Sequence, residues 1–367
     1  MHQIQPMNLE LTIQRITDPD GHNPALLLKG DWLIVIISDG EHFGYGEASH
    51  SKNDDTCEKT IQKLFDEHVR QMDLTLPAIE QLSKTVFSEA DSFITATAIS
   101  GINQALHDLV AKREKTAVWN LFSAQKIQTE IPVYTTINRA LTTRTLDNYC
   151  ETVSHAVEQG FSAIKCAPFE QVTPDGDQVA QSEYGLSVLE CLRKNFPELS
   201  IRVDFHERFQ LAAFQQVLPA VEAVSPFWIE APLPIGPIYS ELRKTCKNQM
   251  ALGELYFGHP GFADITENDW ADVIMPDIKH VGGFGPLLDV CRNFADRIES
   301  SPHNPSGPVA TAASLHAAAA CSSVTSLELP LIIDPERAYY LEWMESGMIR
   351  IPDGPGWGID VEQFLHN

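Results

Sequence analysis

At 367 residues, 43% of them hydrophobic, the chain is long enough to bury a large core and to form two domains, one of barrel size. Its formal net charge of −24 argues against nucleic acid, whose phosphates it would repel, but admits a small anion where a cation or local lysines invert the field. No apolar run approaches the ~18 residues of a membrane helix and no basic-then-apolar signal opens the chain, so a cytoplasmic protein without membrane attachment is expected.

Residues 9–13 alternate, residues 25–29 and 32–37 are apolar runs, and Gly30-Asp31 and Asp39-Gly40 supply turns. A three-stranded meander is therefore expected. Gly44-Tyr45-Gly46-Glu47-Ala48-Ser49-His50 reads as a loop leaving that sheet. From Asp55 to about Phe122 the pattern is helical, clearest as an amphipathic segment over residues 98–112. This α+β unit is expected to span residues 1–126. Strand and helix then alternate. Residues 131–137, 162–166, 201–206, 226–232, 250–254, 272–277, 301–304 and 326–330 read as strands, with helical stretches such as 178–194 and 286–297 between them. Eight such strands fit an α/β barrel over residues 127–331, followed by a loop-rich tail, 332–367. Seven cysteines, dispersed and without a CxxC pair, fit reduced thiols. Gly282-Gly283-Phe284-Gly285 looks like a phosphate loop but lacks the GxGxxG context.

Three consecutive strands end on or near an acid. Asp204, Glu230 and Glu254 lie 26 and 24 residues apart, about the length of one β/α unit, so each would close an equivalent strand. In a parallel barrel those ends share one face. Three carboxylates in a dry pocket need a counter-charge, and Mg²⁺ suits a few carboxylates together with water and substrate oxygens. Asp277 and His303, 26 residues apart, end strands six and seven. A carboxylate on one imidazole nitrogen fixes the tautomer and leaves the other nitrogen to take a proton. His206 lies two residues beyond Asp204, so strand alternation puts both on the inward face. There it can reach substrate, bind metal or orient Asp204. Lys165 on strand two fits either a charge for a substrate carboxylate or an ion pair at the rim. Glu328 on strand eight fits either a hydrogen-bonding acid or a structural salt bridge.

The acid series resembles the metal site of the enolase superfamily. Val203-Asp204-Phe205-His206-Glu207-Arg208, and Ser301-Pro302-His303-Asn304-Pro305-Ser306-Gly307-Pro308 followed by Ala312-Ala313-Ser314-Leu315-His316, are similar to the mandelate racemase group. Within it they resemble acid-sugar dehydratases of the galactonate dehydratase type. The resemblance implies a (β/α)7β TIM-like barrel with an N-terminal α+β capping domain and a tail that packs back on it. It implies Mg²⁺ on Asp204, Glu230 and Glu254, a His303–Asp277 dyad as base, and His206 as general acid. Glu328 would hydrogen-bond the enediolate, and the loops near His22 and His50 would select the substrate. Relatives with Lys-x-Lys use the second lysine as a base; Ala167 stands at that position here. The implied reaction removes the proton α to a carboxylate and then the β-hydroxyl as water, giving a 2-keto-3-deoxy sugar acid. Two other readings stand beside it: a racemase or epimerase of a 2-hydroxy acid, and a non-catalytic barrel with a binding role. The expected partners are a small anionic sugar acid and further copies of the chain in a homo-oligomer.

Overall fold

The computed structural model describes residues 8–16, 32–49, 53–85, 90, 92–257, 260–335 and 338–365. It begins with an antiparallel sheet in the order β1 (Glu10–Ile16), β2 (Trp32–Ser38) and β3 (Phe43–Glu47). The strand expected at residues 25–29 and the turn at Gly30-Asp31 lie outside the described residues. The third strand is instead the glycine-rich segment expected as a loop, with Tyr45 opposite Ile36 and Glu47 opposite Ile34. Three helices follow: α1 (Asp54–Leu64), α2 (Leu76–Thr85) and α3 (Phe93–Arg113). α3 explains the strand. A Cβ on Gly46 would stand 1.9 Å from the Gly101 carbonyl oxygen, and one on Gly44 2.1 Å from that of Ala105. Glycine serves here for close backbone approach, not for a turn.

α3 is not the amphipathic helix expected. Its N-terminus is capped by Ser92, whose hydroxyl accepts from Thr95 N at 3.2 Å, and every residue from Ala96 to Ala111 is buried. It is covered all round because β3 and α1 pack on it and the barrel meets it as well, where the Ser100 hydroxyl donates to Ile278 O at 2.8 Å. Strand alternation divides the sheet between two cores. Leu33, Val35 and Ile37 face the helices, while Ile34 and Ile36 join the core of the barrel.

The barrel strands are β4 (Glu130–Thr136), β5 (Ala163–Cys166), β6 (Ser200–Asp204), β7 (Trp228–Glu230), β8 (Gln249–Leu252), β9 (Val273–Ile274), β10 (Glu299–Ser300) and β11 (Leu327–Pro330). β4 to β10 pair in parallel in chain order, and β11 pairs with β4. At the remaining seam Ser300 bridges Val324, and the Ser301 and Ser326 hydroxyls lie 2.8 Å apart. Between the strands run α4 (Leu146–Glu158), α5 (Gln178–Asn195), α6 (Leu211–Ala223), α7 (Tyr239–Thr245), α8 (Pro260–Glu267), α9 (Ile278–Val281) with α10 (Phe284–Asn293), and α11 (Pro308–Ala320). This is a (β/α)7β order. The ladders are shorter than the apolar runs. β8 stops at Leu252 and β10 at Ser300, so Glu254 and His303 stand on the turns beyond them, not on strands. Gly282 and Gly283, with φ of 96° and 111°, turn α9 into α10, so the glycine run is a helix joint.

Tyr134, Ala163, Trp228, Ala251, Val273 and Met275 fill the barrel interior. The Arg202 guanidinium lies 4.4 Å from the Tyr134 and Phe227 ring centroids and 4.6 Å from that of Trp228, which closes a floor under the strand ends. In the tail, β12 (Met344–Glu345) and β13 (Met348–Arg350) form a hairpin whose second strand pairs with the start of β4. Trp357 then meets the N-terminal unit: its indole donates to Tyr45 O and its backbone N–H to Asp108 Oδ1, both at 2.8 Å. The seven cysteines are free. Among the described residues, no helix is long and apolar enough to cross a membrane.

Candidate active site

The charged residues stand one layer above the floor. Arg202 and Asp204 on β6, Trp228 and Glu230 on β7, and Ala163 and Lys165 on β5 are spaced by two, so each strand lifts an ionisable group over a floor residue. Lys165 is only 2% exposed, and its Nζ lies 2.9 Å from Glu230 Oε1, 3.0 Å from Glu328 Oε2 and 3.9 Å from Glu254 Oε2. Burial opposes its charge, yet the Glu230 and Glu328 carboxylates hold the ammonium well above its usual range. The Trp228 indole donates to Glu230 Oε2 at 3.3 Å, and the Tyr134 hydroxyl to Glu328 Oε2 at 3.5 Å.

Asp204, His206 and Glu254 each bring one ligand atom into a group spanning no more than 4.8 Å. Glu230 pairs with Asp204 across the β6–β7 ladder, but its carboxylate is turned to Lys165 and Trp228. The structure thus joins two of the three expected acids and adds an imidazole, with the third acid one strand away. Burial, together with the Asp204, Glu254 and Glu328 charges, pushes the Glu230 carboxyl well up against the pull of Lys165. A divalent cation with oxygen ligands fits such crowded acids, since it would supply the missing positive charge.

His206 reaches Asp204 by a turn and not by strand alternation. β6 ends at Asp204, and His206 (φ 49°) and Glu207 (φ 58°) follow in the left-handed region. Such backbone costs roughly 1–3 kcal/mol per residue, and contacts must hold it. His206 N donates to Asp204 Oδ1 at 2.9 Å, its Nε2 lies 2.8 Å from Asp204 Oδ2, and its Nδ1 lies 2.6 Å from Glu170 Oε1. Burial works against the imidazolium, but Asp204 and Glu170 push its pKa up to about 11. Glu170 is itself held in place by Arg208 Nη2 at 2.8 Å.

On the opposite side, His303 Nδ1 lies 2.8 Å from Asp277 Oδ2 and Nε2 3.1 Å from Glu254 Oε2. β6 and β10 are the third and seventh of eight barrel strands, so their loops face each other across the mouth. Asp277 caps α9 by accepting from Lys279 N at 2.8 Å, and its Oδ2 also lies 3.2 Å from Lys279 Nζ. Burial alone would raise its pKa; Lys279, His280 and His303 hold it well below the usual carboxylate range.

The sequence reading brought Asp204, His206, Glu230, Glu254, Asp277, His303, Glu328 and Lys165 to this mouth, and all are here, Glu230 with its carboxylate on Lys165 and Trp228. It missed Glu170, Arg139 and Lys279, which sit on turns or on the four-residue helix α9, where no period marks an inward position. Lys279, two residues beyond Asp277, had that spacing as its one signal. His22 and His50 lie outside the described residues.

Residues 31–123 match the sequence model of the mandelate racemase / muconate lactonizing enzyme N-terminal domain, and residues 148–364 that of the enolase C-terminal domain-like family. The chain is 25% identical to a D-xylonate dehydratase of Haloferax volcanii over 96% of its own length and 87% of the relative's. It is 24% identical to a D-galactonate dehydratase family member of Enterocloster bolteae, covering 95% and 90%. Among solved structures, a mandelate racemase/muconate lactonizing enzyme-like protein from Roseovarius sp. TM1035 superposes with a TM-score of 0.81 at 22% identity, covering 98% of this chain and 94% of that one. A second such protein, from Rubrobacter xylanophilus, also gives 0.81 at 22% identity, covering 98% and 97%. With more than half of its length in the matched barrel and a matched cap before it, the chain belongs to the mandelate racemase / muconate lactonizing enzyme family of the enolase superfamily.

Proposed function

We propose that the chain is a Mg²⁺-dependent hydro-lyase that dehydrates an acid sugar to its 2-keto-3-deoxy acid. The observation that carries this reading is the pair of imidazoles on opposite sides of one acid cluster, each tied to its own carboxylate. The dehydratase names of the curated relatives support the same reaction class. Asp204, Glu254 and, with its carboxylate turned inward, Glu230 would hold the cation. When bound, Mg²⁺ supplies positive charge where negative charge grows on the substrate carboxylate.

The chain's own residues do the proton work. His303 Nδ1–H donates to Asp277, so Nε2 is the lone-pair nitrogen that takes the α-proton. His206, with a carboxylate on each ring nitrogen, is held as an imidazolium and gives its proton to the departing β-hydroxyl. The C–O bond breaks, water leaves, and the enol tautomerises to the ketone. An epimerase would need His206 as a base in one direction. Two carboxylates around one imidazole favour the acid, and Ala167 leaves no lysine to take the base's part. Lys165 would brace the substrate carboxylate from the β5 side, and Glu328, 3.0 Å from it on β11, would hydrogen-bond the enediolate. In this reading residues 1–126 cap the pocket, residues 127–331 form the catalytic barrel and the tail from 332 locks the two together.

A library of mono- and diacid sugars incubated with Mg²⁺ and assayed for 2-keto product tests this. Interconversion of C2 epimers without keto acid would overturn the dehydratase reading. Exhaustive chelation is expected to abolish turnover, and full activity in a verified metal-free sample would remove the cation from the mechanism.

A further inference from the structure

Arg139 stands three residues beyond β4, and its loop is pinned across the neighbouring strand end. Ile137 N donates to Lys165 O at 3.1 Å, and Ala167 N to Asn138 Oδ1 at 2.7 Å. From there the guanidinium reaches over β11 to the loop of the base, where Nη1 donates to Pro305 O at 3.0 Å, two residues past His303. Its electrostatic neighbours are Glu328, Asp277 and Glu254, all at the mouth. Each has a cationic or donor neighbour already: Glu328 has Lys165 at 3.0 Å, Asp277 has His303 at 2.8 Å and Lys279 at 3.2 Å, and Glu254 has Lys165 at 3.9 Å. Among the described residues no ion pair joins Arg139 to a carboxylate, although burial lowers its pKa and marks it as a poorly hydrated cation. Arginine carries five N–H donors, of which Pro305 takes one. Among the described residues Nε and Nη2 donate to no protein atom, and neither stands with the fully buried, partnerless nitrogens such as Nε of Arg202 and Arg208.

We propose that Arg139 binds a carboxylate of the substrate through its Nε and Nη2 edge and selects acid sugars over neutral ones. This assignment rests on the acid-sugar reading above. A planar fork of this kind matches a carboxylate with two parallel hydrogen bonds. The C1 carboxylate of an aldonate and the far carboxylate of an aldarate offer the same chemistry.

The test uses the Mg²⁺-loaded enzyme and its Arg139→Gln and Arg139→Lys variants. Calorimetry would compare five- and six-carbon aldonates, their C1 amides and the matching aldarates, with kcat and KM measured on the turned-over acids. Arg139→Gln should raise KM and Kd for the acid about 10²-fold, as loss of one partner of a charge pair does, with kcat changing less than KM. A fallen preference for aldonate over amide assigns Arg139 to the C1 carboxylate. A fallen preference for aldarate over aldonate assigns it to the far one. Equal weakening of all three ligand classes would reduce Arg139 to a tether for the Pro305 loop and overturn the proposal. Should Arg139→Gln fail to fold, the same ratios are read on Arg139→Lys, which keeps the charge without the fork and should lower them about tenfold. A wild type that binds and dehydrates no acid in the library overturns the acid-sugar reading, and this assignment falls with it. Wild-type turnover with unchanged ratios in the variants overturns this assignment alone.

Discussion

His206 donates to a carboxylate from each ring nitrogen, and that sets both its charge and its use. With a pKa of about 11, above the ordinary 6.5, it contributes to folded-state stability fully below about pH 6.5, and the contribution fades as pH rises toward 11. Glu170→Gln removes one carboxylate, so the alkaline limb of dehydration should move to lower pH while α-proton exchange keeps its profile. Unmoved limbs in both reactions would detach Glu170 from the acid. His206→Asn should slow dehydration by roughly 10²–10⁴-fold, the reach of a general acid, and still exchange the α-proton with solvent deuterium. His303→Asn should do the reverse at the first step and abolish exchange; wild-type exchange in that variant would take the base away from His303. At this scale spacing made the acids and the Asp277–His303 pair legible, because barrel strands recur at nearly constant intervals, whereas the strand alternation that placed His206 inward is replaced by a turn. The partners that tune them were not legible, because turns carry Glu170 and the short helix α9 carries Lys279.

β3 and α3 are where local pattern and three-dimensional context part. Glycine lowers strand propensity, so Gly44-Tyr45-Gly46-Glu47 reads as a loop until α3 is laid against it. The helix then needs those missing side chains, and the same contact, with the barrel beyond it, buries α3 over its middle four turns and erases its polar face. Gly46→Ala tests the contact. Its Cβ would meet the Gly101 carbonyl at 1.9 Å, and backbone on both sides leaves little room to relax. The variant should lose at least about 2 kcal/mol in urea unfolding, in the range of overpacked cores. Glu41→Gln on the exposed β2–β3 connection is a control for the sheet itself, and equal losses in the two would deny the close approach its role.

The two parts of the molecule meet behind His303, the proposed base, and Glu47 is the joint. Fully buried at the end of β3, its carboxylate accepts from Gly307 N at 2.7 Å and Ala310 N at 3.1 Å. These are orphan donors at the start of α11, where a helix favours negative charge. Ser49 adds a hydroxyl to Glu47 Oε1 at 2.7 Å, and Gln104 on α3 holds the Glu47 backbone at 3.1 and 3.3 Å. From the barrel side, Lys279 and Tyr339 fasten Ser306 at 2.6 and 3.0 Å. The segment from His303 to Gly307 is thus held between the cap and the tail as well as by its own strand, which no reading of the barrel repeats alone could reveal. Glu47→Ala would leave two buried N–H groups without partners, at about 1–3 kcal/mol each. We expect that variant to unfold at clearly lower urea and to lose kcat for α-proton exchange by more than it loses KM, because the base's loop is no longer seated. Glu47→Gln keeps the side chain's shape and one acceptor, so it should recover part of both. If Glu47→Ala unfolded at the wild-type midpoint with wild-type kcat, the cap would be shown to cover the pocket without positioning its chemistry.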